Sequence, residues 1–207
     1  MSRSAQVKLY YAIEELYHIK DFYIDSEIRN ENDLLSLNLE RKYQTGTEGK
    51  SEEYKQQYYE MHDLEFYYYE QIYPQLIRKT VFLQIYFTLE NHMKILCDVA
   101  QEKRNLTVSY KDLHGQGIRK AESYFTKVCN ITEPFNSSNW ESIKAYNELR
   151  NVIAHNSSIL KEKLKVTPHD LIISNNDKGE MIFQLEKEFI PSCINIVEEF
   201  LLQFRDI

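Results

Sequence analysis

Helix breakers are scarce in this chain. Five glycines and four prolines are spread over 207 residues, and these two residue types are the strongest local punctuation a sequence has. Long helices follow wherever apolar residues recur at three- and four-residue intervals. Residues 4–43 read as helix in two pieces, with a break near 29–33, and Leu9, Ile13, Leu16, Tyr17 and Ile24 as the apolar stripe. Leu35, Leu37 and Leu39 alternate, which leaves a short extended piece open there. The run Thr45-Gly46-Thr47-Glu48-Gly49-Lys50-Ser51 holds two of the five glycines and no apolar residue, so it reads as a loop between helices.

A second helix is expected over 51–73. Tyr54, Tyr58, Met61, Tyr68 and Ile72 mark one face, and Tyr59, Phe66 and Tyr73 a second, which predicts burial on two sides. Tyr67, Tyr68 and Tyr69 invite comparison with the aromatic platforms on which single-stranded nucleic acids stack. The surrounding carboxylates favour core packing instead. Pro74 suits a kink or the first turn of a new helix. Residues 75–102 are the most apolar stretch and predict the central core helix, with Leu76, Ile77, Val81, Phe82, Ile85, Leu89, Met93, Leu96 and Val99 inward. Residues 104–117 read as a loop with extended character, 118–128 as helix, 130–137 as loop. His114-Gly115-Gln116-Gly117 is too short to be a phosphate-cradling loop. The segments 171–173 and 181–183 flank a polar turn and predict a small β-hairpin, and a final helix runs from 187 or 188 to 204. The expected architecture is mainly α: an antiparallel helical bundle in a single domain, 1–207, in which a long N-terminal helical hairpin (1–73) packs on a core (74–207), with one small β-hairpin before the last helix.

Composition narrows the function. Hydrophobic residues at 43% and charged residues at 28% are ordinary for a globular chain. A net charge of −7 argues against a protein that coats nucleic acid by bulk electrostatics, though it permits a local basic site. Cys97, Cys129 and Cys193 are odd in number and far apart, which suggests neither a disulfide framework nor a zinc ribbon. No signal peptide or membrane-spanning run is expected, and a reducing cytoplasm is the natural compartment. No metal or cofactor is expected: there is no His-Glu-x-x-His, and the remaining histidines lack ligand spacing.

One stretch carries chemistry. Glu148-Leu149-Arg150-Asn151-Val152-Ile153-Ala154-His155-Asn156 reads as the end of a helix that begins at Ser138, the expected N-cap, with Glu141 completing a capping box. Asn151 and His155 are spaced i, i+4 and share a face. Arg150 is adjacent around the helix, so three polar heads can meet one ligand. Arg-Asn, three residues, then His is expected by chance in only about 0.02 places in a chain of this composition. The structural alternative is a helix end whose His caps the last carbonyls and whose Arg pairs with a carboxylate. Glu90, on the most apolar helix, needs a partner if buried, or else faces solvent.

The string Arg150, Asn151, His155, late in a small acidic helical chain, resembles the HEPN superfamily of helical domains. The resemblance runs loosely over about residues 70–205. It implies a homodimer paired through the motif helix and a metal-independent ribonuclease acting on RNA, with His155 as general acid/base, Arg150 stabilising phosphate, Asn151 orienting, and Glu90 a partner of Arg150. It also implies a toxin or antiviral-defence effector held by an antitoxin or regulatory protein. Ser157 stands where the toxin branch places a tyrosine, so control by tyrosine modification does not carry over. Lys161, Lys163 and Lys165 are candidates to approach a substrate backbone. The alternative is a non-catalytic HEPN-like module that binds a nucleotide, RNA or a protein.

Overall fold

The computed structural model describes residues 3–46, 49–156, 159–160, 164 and 168–207. Helix α1 (Arg3–Gly46) is continuous. The break expected near 29–33 is absent, because the polar residues there are side-chain partners of other helices or face solvent. Leu35, Leu37 and Leu39 are helical. The stripe also differs from expectation. Leu9 and Leu16 are buried together with Ala5, Ala12, Ile19 and Tyr23, whereas Tyr17 and Ile24 are exposed.

Helix α2 (Glu52–Tyr67) starts at Ser51, whose hydroxyl accepts from the Tyr54 N–H at 3.2 Å, with Glu52 and Glu53 at the positive end of the helix dipole. It leads into a π-helical turn at Tyr68–Ile72 and then α3 (Tyr73–Arg104), so residues 52–104 are continuously helical. The π turn has a local cause. Tyr73 N–H reaches back five residues to the Tyr68 carbonyl. The next donor in that ladder would be Pro74, which has none. The Tyr69 carbonyl accepts instead from Asn30 Nδ2 at 3.0 Å, and Asn30 is buried on α1. Burial of α2 on two sides, and core packing of Tyr67 and Tyr68, do not occur: within α2 only Tyr58 and Phe66 are buried, and Tyr67 and Tyr68 are exposed.

The middle of α3 is the axis of the core, with Val81, Phe82, Ile85, Leu89, Met93, Leu96 and Val99 all buried, whereas Leu76, expected inward, is exposed and Ile77 is half-buried. It ends at Asn105, which takes the left-handed conformation (φ 51°) that closes helix termini, with Lys103 and Arg104 at the negative end of the dipole. A 3-10 turn at Tyr110–Asp112 replaces the extended character expected nearby. Helix α4 (Gly117–Lys127) and a 3-10 turn at Glu133–Asn136 lead to α5 (Ser138–Asn156). The N-cap of α5 is Ser137, not Ser138: Ser137 is extended and its Oγ accepts from the Trp140 N–H at 3.2 Å. Glu141 is not the second half of a capping box; it pairs with Lys144.

After α5 come three strands, β1 (Ile159–Leu160), β2 (Leu171–Asn175) and β3 (Met181–Leu185), in antiparallel order β1-β3-β2. The expected hairpin is β2–β3, paired from Leu171 with Leu185 to Asn175 with Met181. The two-residue edge strand β1 was not foreseen. Helix α6 (Phe189–Leu202) closes the core against α3 and α5. An aromatic cluster fills the space between them, with Trp140 stacked on Phe200 at 5.3 Å and Phe82 edge-on to Phe189 at 5.4 Å.

Helix α1 belongs to this core and is pinned to it by polar contacts as well. Glu27, nearly fully buried, receives both Nε and Nη2 of Arg78 at 2.8 and 3.0 Å. Arg78 Nη1 donates to the Leu185 carbonyl, and Gln75 exchanges a reciprocal pair of bonds with the Leu185 backbone. The Tyr23 hydroxyl donates to the Lys187 carbonyl at 2.7 Å. The chain entering α6 is thereby held to α1 and α3 together. Among the described residues, no helix is long and apolar enough to cross a membrane.

Candidate functional site

The last turns of α5 rise out of the core. Trp140, Ile143, Tyr146 and Leu149 are buried, Val152 and Ile153 are half-buried, and Asn151 and His155 are exposed. The polar residues therefore sit where a helix leaves its packing partners. Asn147, Asn151 and His155 follow one another at i, i+4, i+8 on one face.

Arg150 lies across the middle of α3. Its guanidinium carbon stands 5.6 Å from the Tyr86 ring centroid and 5.4 Å from that of Phe87, within range of cation–π attraction. Nη1 donates to Asn151 Oδ1 at 2.9 Å. Nε is buried and has no hydrogen-bond partner. Tyr86, almost wholly buried, donates its hydroxyl to Asn147 Oδ1 at 2.6 Å, which ties the α5 face to α3 one turn before Arg150.

Glu90 is half-buried on α3, one turn after Tyr86. It does not form an ion pair with Arg150. Its carboxylate lies instead against Gly117, where an added Cβ would stand 3.4 Å from Oε1. Gly117 opens α4 at φ +59°, so the carboxylate faces the positive end of that helix dipole. Both charges act on Tyr86. Its phenol is pushed above the ordinary range by burial first and by the Glu90 charge second, while Arg150 and Arg119 act in the opposite direction. Arg119 itself pairs with Glu122 at 3.2 Å.

The structure thus brings Arg150 and Asn151 into contact and leaves His155 exposed further along the same helix end, with the Glu90 carboxylate set against Gly117. Missed from the sequence were Phe87, Tyr86, Asn147 and Gly117. Asn147 was detectable, since it extends the i, i+4 spacing of Asn151 and His155 backwards. Phe87 and Gly117 gave no signal, because their roles depend on how α3 meets α4 and α5. Ser157, Lys161, Lys163 and Lys165 lie outside the described residues. Among the described residues, no group of three His, Cys, Asp or Glu is arranged to hold a metal ion.

Chemically, a guanidinium with no carboxylate partner among the described residues, on the same helical end as an exposed carboxamide and an exposed imidazole, has the groups to bind an oxyanion and move a proton. Hollows of about 360–430 Å³ open on other surfaces, one of about 410 Å³ between α1 and the π turn lined by Asp25, Arg29, Asp33, Tyr69 and Tyr73. No family model, curated protein or solved structure matches the chain.

Proposed function

We propose that this chain is a metal-independent endoribonuclease of HEPN type that acts as a homodimer. The observation that carries the reading is Arg150: a guanidinium with a buried, unpartnered Nε and, among the described residues, no carboxylate partner, on the same helical end as an exposed His155. A structural arginine would be expected to spend its donors on a carboxylate or carbonyls, as Arg78 does.

In this reading Arg150 forks onto the non-bridging oxygens of a phosphodiester and stabilises the charge that builds on them in the transition state. Asn151 orients the guanidinium through its Oδ1. One imidazole takes the proton of the ribose 2′-hydroxyl as its oxygen bonds to phosphorus. A second, protonated imidazole gives a proton to the 5′-oxygen as the P–O5′ bond breaks. One chain offers one such histidine, so the second comes from the twin chain, with the two α5 ends facing across a two-fold axis. The products are a 2′,3′-cyclic phosphate and a 5′-hydroxyl. RNA is the substrate, no cofactor is used, and the setting is that of a toxin or antiviral effector restrained by an antitoxin or regulatory protein in a reducing cytoplasm.

A second reading is a non-catalytic module that binds RNA, a nucleotide or a protein, favoured by the net charge of −7. The two separate on one experiment: purified protein incubated with single-stranded RNA in EDTA, with the new 3′ ends analysed. Cyclic phosphate ends support the nuclease. Binding without cleavage leaves the module.

A further inference from the structure

Helix α1 carries two apolar arcs, and the core uses one. Ala5, Leu9, Ala12, Leu16, Ile19 and Tyr23 face inward. Tyr10, Tyr17, Ile24, Ile28, Leu35 and Leu39 do not: each is between 42% and 59% exposed. At 3.6 residues per turn these six fall within an arc of about 60°, centred roughly 130° around the helix from the buried face. They form one stripe about 44 Å long. Six large side chains at these exposures present on the order of 600 Å² of mainly apolar surface. That is at the upper end of what a monomer leaves open and close to one side of a standard protein–protein interface.

We infer that this stripe is a seam on which a second copy of the chain packs, α1 against α1, antiparallel. Three observations choose that occupant. The stripe is straight and follows a single long helix, so it fits a rod of equal length bearing the same spacing. Its central residues, Tyr17, Ile24, Ile28 and Leu35, are spaced 7, 4, 7, which reads identically from either end. An isologous two-fold contact requires that self-complementarity, and it sets Ile24 against Ile28 and Tyr17 against Leu35 of the twin helix. The charges on one flank agree. Lys20 and Glu31 lie on the same side of the stripe, six and five residues from its centre, so each Lys20 comes within one residue's rise of the other copy's Glu31. Glu31 already pairs with Lys187 at 2.5 Å, and both groups are half-exposed, so the new contact extends a surface pair. At the other edge of the stripe Asp21 shares the angle of Leu39, with Asp25 just beyond it, and neither gains a partner.

The seam shares no residue with the Arg150 cluster, and the inference stands whether or not the chain cleaves RNA. If the α5 ends also pair, the assembly exceeds two copies. The test is particle mass by light scattering on the full-length protein at tens of micromolar. Ile24→Glu with Ile28→Glu is expected to halve the mass while the helical circular dichroism stays unchanged. Lys20→Glu weakens association, and Lys20→Glu with Glu31→Lys restores it. A monomeric wild-type chain, or a mass untouched by the double glutamate variant, overturns the seam. Failure of the charge swap to restore association overturns the antiparallel pairing.

Discussion

Arg150 donates through Nη1 to Oδ1 of Asn151 at 2.9 Å while its own Nε is buried without a partner. A buried donor left unsatisfied costs on the order of 1–3 kcal/mol, so this arrangement is not what stability alone would select. Replacing Arg150 with Ala should therefore change unfolding free energy by less than about 1 kcal/mol. RNA cleavage, by contrast, should fall by about 100-fold or more, as when a charge-stabilising donor is removed. Arg150→Lys keeps the charge but loses the planar fork, and it should recover only a small part of the rate. Paired urea melts and cleavage assays check this. A large loss of stability with Arg150→Ala would assign the residue to the scaffold.

Gly117 is where α4 meets Glu90. Its φ of +59° is a left-handed conformation, and a Cβ there would stand 3.4 Å from the carboxylate. Gly117→Ala should destabilise the protein by about 1–2 kcal/mol through the backbone, and more if Glu90 cannot move aside. Glu90→Gln in the same background shows how much of the loss is contact with the carboxylate.

The buried pair Glu27–Arg78 joins α1 to α3 and to the end of β3. Removing one partner strands the other, at a cost of about 3–5 kcal/mol. Glu27→Ala should lower the urea midpoint by far more than Lys187→Ala, which breaks the exposed pair with Glu31, an interaction worth at most about 1 kcal/mol. Similar losses for both variants would contradict the assignment of α1 to the core.

Alkaline pH should loosen the fold near Tyr124. Burial pushes its phenol up to about 12, and its hydroxyl donates to the Val108 carbonyl at 3.0 Å. The folded state thus favours the protonated phenol. Its contribution is complete below the unfolded value of 10 and is lost as pH rises from there through about 12. Absorbance of tyrosinate against pH should show a late-ionising fraction that coincides with loss of helical signal. Tyr124→Phe should remove that group's share of the pH dependence.

The helical bundle, the most apolar helix as the core axis and the β-hairpin before the last helix were legible because each rests on local periodicity. What failed was local too, but needed tertiary partners. Polar residues at 29–33 suggested a break, yet Asn30 serves the carbonyl that Pro74 leaves open on another helix. Tyr17 and Ile24 have the same chemistry as Leu16, and only the position of α3 and α6 decides which arc is buried. The motif string gave Arg150, Asn151 and His155, since i, i+4 spacing is a property of one helix. It did not give Phe87 or the contact of Glu90 with Gly117, which arise where three helices cross.

The central claim is that His155 and Arg150 act together on a phosphodiester. The direct measurement is cleavage of single-stranded RNA in EDTA by the wild-type chain and by His155→Ala, both checked for unchanged helical signal and particle mass. The account predicts cleavage by the first, with cyclic phosphate ends, and loss of at least about 100-fold by the second. Equal rates for the two proteins, or cleavage that appears only when a divalent metal is added, would contradict it.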